Sequence, residues 1–197
     1  MFISTDLLNE FVKDSLKGTN IYLIGMMGTG KTTIGREIAH QLGYQFFDTD
    51  AVIEQATRQT IADLFAEQGE AAFRDLETQV LSQLSAYKCL VIATGGGIVL
   101  RQANWSYLRH GIVVWLDAPI PVLQQRLETD TTRPLLQTAD LLARLSDLME
   151  QRRSLYAQAD LQIQSDNQVS PAQLATQTLE RIQQILKPEI LPPDYGN

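Results

Sequence analysis

The run Gly25-Met26-Met27-Gly28-Thr29-Gly30-Lys31-Thr32 has the spacing G-x-x-x-x-G-K-[ST]. Small residues in such a loop let backbone N–H groups converge on phosphate oxygens, and the positive end of a following helix adds to the field. Lys31 can then reach the terminal phosphates and follow the charge that migrates during transfer, while the Thr32 hydroxyl can bind Mg²⁺. The apolar run Ile21-Tyr22-Leu23-Ile24 precedes the loop and a helical pattern follows it. A ligand-free glycine turn is the alternative, but the order of residues and both flanks favour nucleotide binding. The loop names a donor and no acceptor, because GTPases, ATPases and small-molecule kinases share it.

A second chemical cluster is Phe46-Phe47-Asp48-Thr49-Asp50. Its two carboxylates fall at the carboxyl end of an expected strand, where parallel-sheet enzymes assemble their sites. If both residues lie on an extended segment, they point the same way. One can serve a metal while the other grips an acceptor hydroxyl and takes its proton. The competing assignment makes Asp50 an ordinary N-cap for Ala51-Val52-Ile53-Glu54. Further along, Gly95-Gly96-Gly97 follows the apolar run Leu90 to Ala93, where many P-loop proteins carry an acidic metal ligand. Three bare glycines there suit backbone N–H groups offered to a substrate, and a plain turn is the alternative. The stretch from Glu128 to Leu136 is polar and short of helix formers until Pro134, which suits a lid.

These residues need a scaffold, and the hydrophobic pattern supplies one. Short β-rich runs at Ile21 to Ile24, Gln45 to Phe47, Leu90 to Ala93, Ile112 to Leu116 and Leu161 to Ile163 alternate with helical stretches. The helical stretches run over about Thr32 to Leu42, Ile61 to Tyr87, Arg101 to Arg109, Ile120 to Leu127 and Ala139 to Ala157. A last one, Pro171 to Leu186, takes Ser170 as cap and Pro171 in its first turn. That alternation predicts an α/β fold, a parallel sheet with helices on both faces. The head, Asp6 to Leu16, has helical spacing and either packs on the domain or hangs loosely from it. The tail 188–197 carries three prolines and does not continue a helix.

Composition narrows the function class. The chain has 197 residues, 44% hydrophobic and 20% charged, with a net charge of -7. One compact core is expected, and a general nucleic-acid binder, which needs a broad basic surface, is not. The single cysteine, Cys89, lies in an apolar run and is expected to be a buried structural thiol. No apolar stretch approaches the ~20 residues needed to span a bilayer, and the first residues lack the layout of a secretory signal, so a cytoplasmic protein without membrane attachment is expected. His40 and His110 lack metal-ligand spacing, and Trp105 and Trp115 suit packing better than base stacking.

Taken in order, the motifs resemble those of the shikimate kinases. They are Gly25 to Thr33, Asp48-Thr49-Asp50, Phe73-Arg74 with Glu77, Thr94-Gly95-Gly96-Gly97, Arg133-Pro134-Leu135-Leu136, and Arg152-Arg153-Ser154-Leu155-Tyr156. The resemblance covers about residues 20–187 and implies a three-layer P-loop kinase fold with a five-stranded parallel sheet in the order 2-3-1-4-5. The first 19 residues are expected to form a helical extension ahead of it, and the resemblance implies a substrate-binding region over about 48–78 and a lid over about 128–139. It also implies ATP- and Mg²⁺-dependent phosphorylation of the shikimate 3-hydroxyl, by a monomer.

Residue by residue, the resemblance implies that Gly25 to Thr33 hold ATP and that Thr32 and Asp48 hold Mg²⁺. Asp50, Arg74, Gly95, Gly96, Gly97 and Arg152 take the acceptor. Lys31, Asp50 and Arg133 are implied to be catalytic, with Arg133 closing over the phosphates and Arg126 lying against adenine. The planar guanidinium of Arg74 or Arg152 offers paired donors suited to a carboxylate, and Glu77, three residues on, can hold Arg74 in place. The residues alone favour a surface helix pair at Arg74 and Glu77 and a solvated basic turn at Arg152, while an exposed loop arginine at Arg133 is the lesser alternative and a solvated helix arginine at Arg126 fits nearly as well. Gluconate or a nucleoside monophosphate as acceptor, or a kinase-like binding protein without turnover, are the competing functions.

Overall fold

The computed structural model describes residues 5–128, 140–166 and 168–186. Five strands, β1 (Ile21–Ile24), β2 (Gln45–Asp48), β3 (Leu90–Ala93), β4 (Ile112–Asp117) and β5 (Leu161–Gln164), form one sheet in the order β2-β3-β1-β4-β5. All four pairings are parallel, with Ile21 opposite both Val91 and Ile112. This is the sheet and strand order that the motifs imply.

Strand alternation divides the core between two helical layers. Tyr22, Ile24, Ile92, Val113 and Trp115 face one cluster, together with side chains of α4 (Ile61–Ser85), α5 (Gln102–Leu108), α6 (Ile120–Leu127) and α7 (Leu141–Tyr156). Ile21, Leu23, Val91, Val114 and Leu116 face the other, with α1 (Thr5–Leu16), α2 (Lys31–Leu42) and α8 (Pro171–Leu186). The head belongs to this second layer, where Leu8, Val12 and Leu16 of α1 are buried. Gly35 of α2 lets that helix approach the sheet, since a Cβ there would lie 2.6 Å from the Phe46 ring.

Four local expectations are corrected. The second strand stops at Asp48, and α3 (Thr49–Thr57) begins at once, so Asp50 sits in the first turn of a helix and does not alternate with Asp48 along an extended segment. The cap of α3 is Asp48, whose Oδ1 accepts the Asp50 N–H at 3.1 Å; Asp50 is therefore not the N-cap. The long helix α4 starts with a reciprocal capping box between Thr60 and Asp63, but breaks at Gly69, where φ is 80° and ψ 172°. Cys89 is exposed, because it occupies a left-handed turn position (φ 60°) one residue before β3 and outside the apolar strand.

Candidate active site

The phosphate loop connects β1 to α2 across Gly25 to Gly30. Gly25 adopts φ 134° beside β4, and a side chain there would strike the Leu116 carbonyl. Gly28 and Gly30 have φ of 79° and 89°, a region that L-residues with side chains rarely adopt. Met26 and Met27 are buried in the core, so they anchor the loop while only their backbone can face a phosphate. Thr29 is fully buried, and its hydroxyl donates to the Met26 carbonyl at 2.8 Å. The Lys31 ammonium turns onto the loop itself, donating to the Gly25 and Met26 carbonyls at 2.9 and 2.7 Å. The loop thus holds its cation at the place where phosphates would arrive.

Thr32, in the first turn of α2, donates its hydroxyl to Asp48 Oδ2 at 2.7 Å. That contact sets a hydroxyl oxygen and a carboxylate side by side on the cavity wall, a donor set that fits a hard cation with oxygen ligands. No cluster of three or more His, Cys, Asp or Glu side chains suited to a metal occurs among the described residues. A divalent ion at Thr32 and Asp48 would need phosphate oxygens and waters to complete its shell, as Mg²⁺ commonly does. The end of β3, where an acid is missing, carries Thr94, whose hydroxyl is committed to the Leu23 carbonyl at 3.0 Å.

The acceptor candidates gather beside Asp50. Arg74 is 7% exposed and Glu77 fully buried, and their side chains meet at 2.5 Å, with Glu70 taking the other guanidinium nitrogens at 2.7 and 3.2 Å. This is no surface pair. Gly95 and Gly97 are glycines because this cluster leaves no room: a Cβ at Gly95 would overlap the Glu77 carboxylate and come within 2.9 Å of Asp50 Oδ1, and one at Gly97 would overlap the Arg74 guanidinium. The Gly95 N–H is not free for a ligand, since it donates to Thr49 Oγ1 at 3.0 Å. Arg152, 4% exposed on α7, donates from Nη1 to the Gly96 carbonyl at 3.3 Å. Neither Arg152 Nε nor Glu77 Oε1, both buried, has a hydrogen-bond partner among the described residues.

Burial pushes the Glu77 carboxyl up to about 7 from its usual 4.5, against the pull of Arg74. The folded chain then binds a proton that the unfolded chain has released. The stability this confers is fully present below about pH 4.5 and is lost as pH rises through about 7. Glu77→Gln removes that titration. The stability of the native chain relative to Glu77→Gln is therefore expected to fall by about 3 kcal/mol between those limits and to level off above them, measured by urea unfolding. A pH-independent difference would contradict the burial argument.

The far side of the cavity is built around Arg126 of α6. Its guanidinium donates to the Gly28 carbonyl at 2.8 Å and to the Ser165 carbonyl at 3.2 Å, tying the phosphate loop to the segment after β5. It is therefore no freely solvated helix arginine. Burial lowers its pKa, and Asp166 opposes that shift. Ser165 adds a hydroxyl bond to the Thr29 carbonyl at 2.9 Å. Val169, Pro171 and Leu174 line the same wall and offer an apolar face for a base.

One cavity of about 420 Å³ brings together Gly28, Gly30, Lys31, Thr32, Thr33, Asp48, Asp50, Gly95, Gly96 and Arg126. Arg74, Gly97 and Arg152 do not line it. They form a buried shell behind Asp50 and Gly95. Thr49, which accepts the Gly95 N–H, and Ser165, Asp166 and Val169, which line the cavity, were left unassigned by the motifs. For Ser165 and Asp166 the available signal was their place just after the last strand. Arg133 and the rest of the expected lid beyond Glu128 lie outside the described residues.

Three comparisons bear on this arrangement. The family model for shikimate kinase matches residues 27–183. A shikimate kinase from Nostoc punctiforme is 55% identical over 174 residues, 88% of this chain and 96% of that protein. The structure of a shikimate kinase from Acinetobacter baumannii in complex with shikimate superposes with a TM-score of 0.84 at 41% identity, over 88% of this chain and 98% of that one. A gluconokinase from Sinorhizobium meliloti superposes with a TM-score of 0.53 at 19% identity, a likeness of fold alone. Agreement over most of both chains, at identities far above that of a shared fold, makes this protein a member of the shikimate kinase family.

Proposed function

We infer that the chain transfers the terminal phosphoryl group of ATP to the 3-hydroxyl of shikimate, giving shikimate 3-phosphate and ADP. Family membership supports the reaction, and the buried shell around Arg74, Glu77 and Arg152 next to Asp50 carries its assignment to this site. An acceptor that is both a carboxylate and a polyol needs a fixed cation and a nearby acid, and both stand here against a glycine wall.

In this reading Arg74 and Arg152 hold the acceptor carboxylate, and Asp50 receives the proton of the hydroxyl that attacks the γ-phosphorus. The new O–P bond forms as the bond to the β,γ-bridging oxygen breaks, with the electron pair leaving on ADP. Lys31 leaves the Gly25 and Met26 carbonyls and follows the charge on the transferred group. Thr32 and Asp48 would hold Mg²⁺, which would supply neutralisation of donor phosphate charge. Gly96 offers acceptor-side backbone, while Gly95 and Gly97 serve by leaving space. Arg126 and the apolar wall at Val169 and Leu174 flank the base. Residues 48–78 form the acceptor region, and 128–139 the lid from which Arg133 reaches the phosphates. The described acceptor and donor residues gather in a single five-stranded unit, which supports a monomer, and the need for ATP supports a cytoplasmic site of action.

Phosphorus NMR of the product tests the regiochemistry. A phosphomonoester coupled to the proton on carbon 3 of shikimate is expected. Inorganic phosphate alone, or an ester at another hydroxyl, would refute the assignment.

A further inference from the structure

Tyr156 closes α7 with its side chain fully buried, and its hydroxyl donates to the Gly96 carbonyl at 2.5 Å. Burial pushes that hydroxyl up to about 12, so it stays a donor across the working pH range. The same carbonyl accepts Arg152 Nη1 at 3.3 Å, from one helical turn earlier on the same helix. The tyrosine ring is held in its turn by Trp115 of β4, with centroids 5.8 Å apart and planes at 25°. A Cβ on Gly96 would lie 3.4 Å from the Gly25 carbonyl, 3.5 Å from the Met27 nitrogen and 3.7 Å from the Tyr156 hydroxyl, so this peptide sits between phosphate loop and tyrosine.

The peptide unit is planar and trans, so a carbonyl and the N–H that follows it point in opposite directions. Fixing the Gly96 oxygen therefore fixes the direction of the Gly97 N–H, at the glycine whose missing side chain makes way for the Arg74 guanidinium. The second consequence concerns Arg152. With Tyr156 making the short bond, Arg152 needs only a long one; the guanidinium also hydrogen-bonds the Tyr156 hydroxyl, and its Nε keeps a donor for an acceptor. A phenylalanine would fill the same space and keep the stack on Trp115. It would leave the Gly96 carbonyl to Arg152 alone.

We propose that Tyr156 is a positioning residue for the acceptor: its hydroxyl sets the Gly96–Gly97 peptide and frees the Arg152 guanidinium to meet the substrate carboxylate. This rests on the acceptor site assigned above.

Tyr156→Phe is expected to raise the KM for shikimate about tenfold while changing the KM for ATP less than about twofold and kcat less than the shikimate KM. Arg152→Ala alone raises the shikimate KM. Because the two act through one another, the double variant is expected to lose less than the product of the single losses. Losses that multiply, or a Tyr156→Phe protein with a lower melting midpoint but unchanged shikimate KM, would overturn the proposal. If Arg152→Ala also leaves shikimate KM unchanged, the failure belongs to the acceptor site as a whole. Should Tyr156→Phe not fold, 3-fluorotyrosine at position 156 keeps ring and hydroxyl but alters donor strength. A selective shift in shikimate KM is expected from it, and no shift would overturn the proposal.

Discussion

Replacing Lys31 with alanine is expected to lower kcat by about 10²–10³-fold, the loss typical when one preorganised donor to developing charge is removed. Lys31 stands at the start of α2, and its ammonium bridges the carbonyls of Gly25 and Met26 at 2.9 and 2.7 Å. Those bonds keep the cation within the loop before any phosphate arrives, so Lys31 has only to exchange two loop carbonyls for phosphate oxygens. Alanine removes the charge and leaves two loop carbonyls without that donor, a cost to folding of about 1–3 kcal/mol. Single-turnover rates at saturating ATP isolate the chemical step from that cost. A rate within a few-fold of the native one would remove Lys31 from the mechanism.

Asp50→Asn is expected to cost about 10²–10⁴-fold in kcat, the range associated with losing a general base. The substitution is close to isosteric. It leaves the capping contact intact, because that bond runs from the Asp50 backbone N–H to Asp48. It should also leave ATP binding within a few-fold, since the phosphate loop and the Thr32–Asp48 contact are untouched. The measurement is kcat under saturating substrates together with the thermal midpoint. Full activity would exclude Asp50 as the proton acceptor, whatever its part in holding the substrate.

Much of this was legible in the sequence, for reasons that can be named. The loop Gly25 to Thr32 announces itself because positive φ at Gly28 and Gly30, and contact between Gly25 and β4, each demand glycine at a fixed spacing. The strands were legible because parallel strands buried on both faces read as continuous apolar runs, as β1, β3 and β4 do. The Asp48–Asp50 geometry was not. Whether a chain leaves a strand at Asp48 or at Asp50 is a matter of one residue, and both aspartates are good caps. The three-residue spacing of Arg74 and Glu77 announced a pair, but nothing in it announced burial, which comes from Gly95 and Gly97 packing against these side chains from a distant part of the chain. The exposure of Cys89 is not legible in the sequence, because an apolar run gives no sign of a left-handed residue at its start. A glycine inside a helical pattern reads as tolerated, so the break at Gly69 shows only in the backbone.

The glycine triplet shows how structure changes a role without moving the site. Read from sequence, it offers three N–H groups. In the fold, Gly95 gives its N–H to Thr49, and Gly95 and Gly97 are required chiefly by the side chains crowding them. Only the Gly96 unit keeps its polar atoms at the junction of phosphate loop, Arg152 and Tyr156. In the proposed reading, specificity depends less on the cavity wall than on a buried layer behind it.

Acceptor identity is the central claim, and it can be tested in one experiment. ADP release, coupled to a spectroscopic readout, should be followed with Mg²⁺ and ATP present and with shikimate, gluconate or AMP supplied in parallel. Turnover with shikimate, and rates at the no-acceptor background with gluconate and AMP, are the expected result. Turnover with gluconate or AMP and none with shikimate would contradict the account.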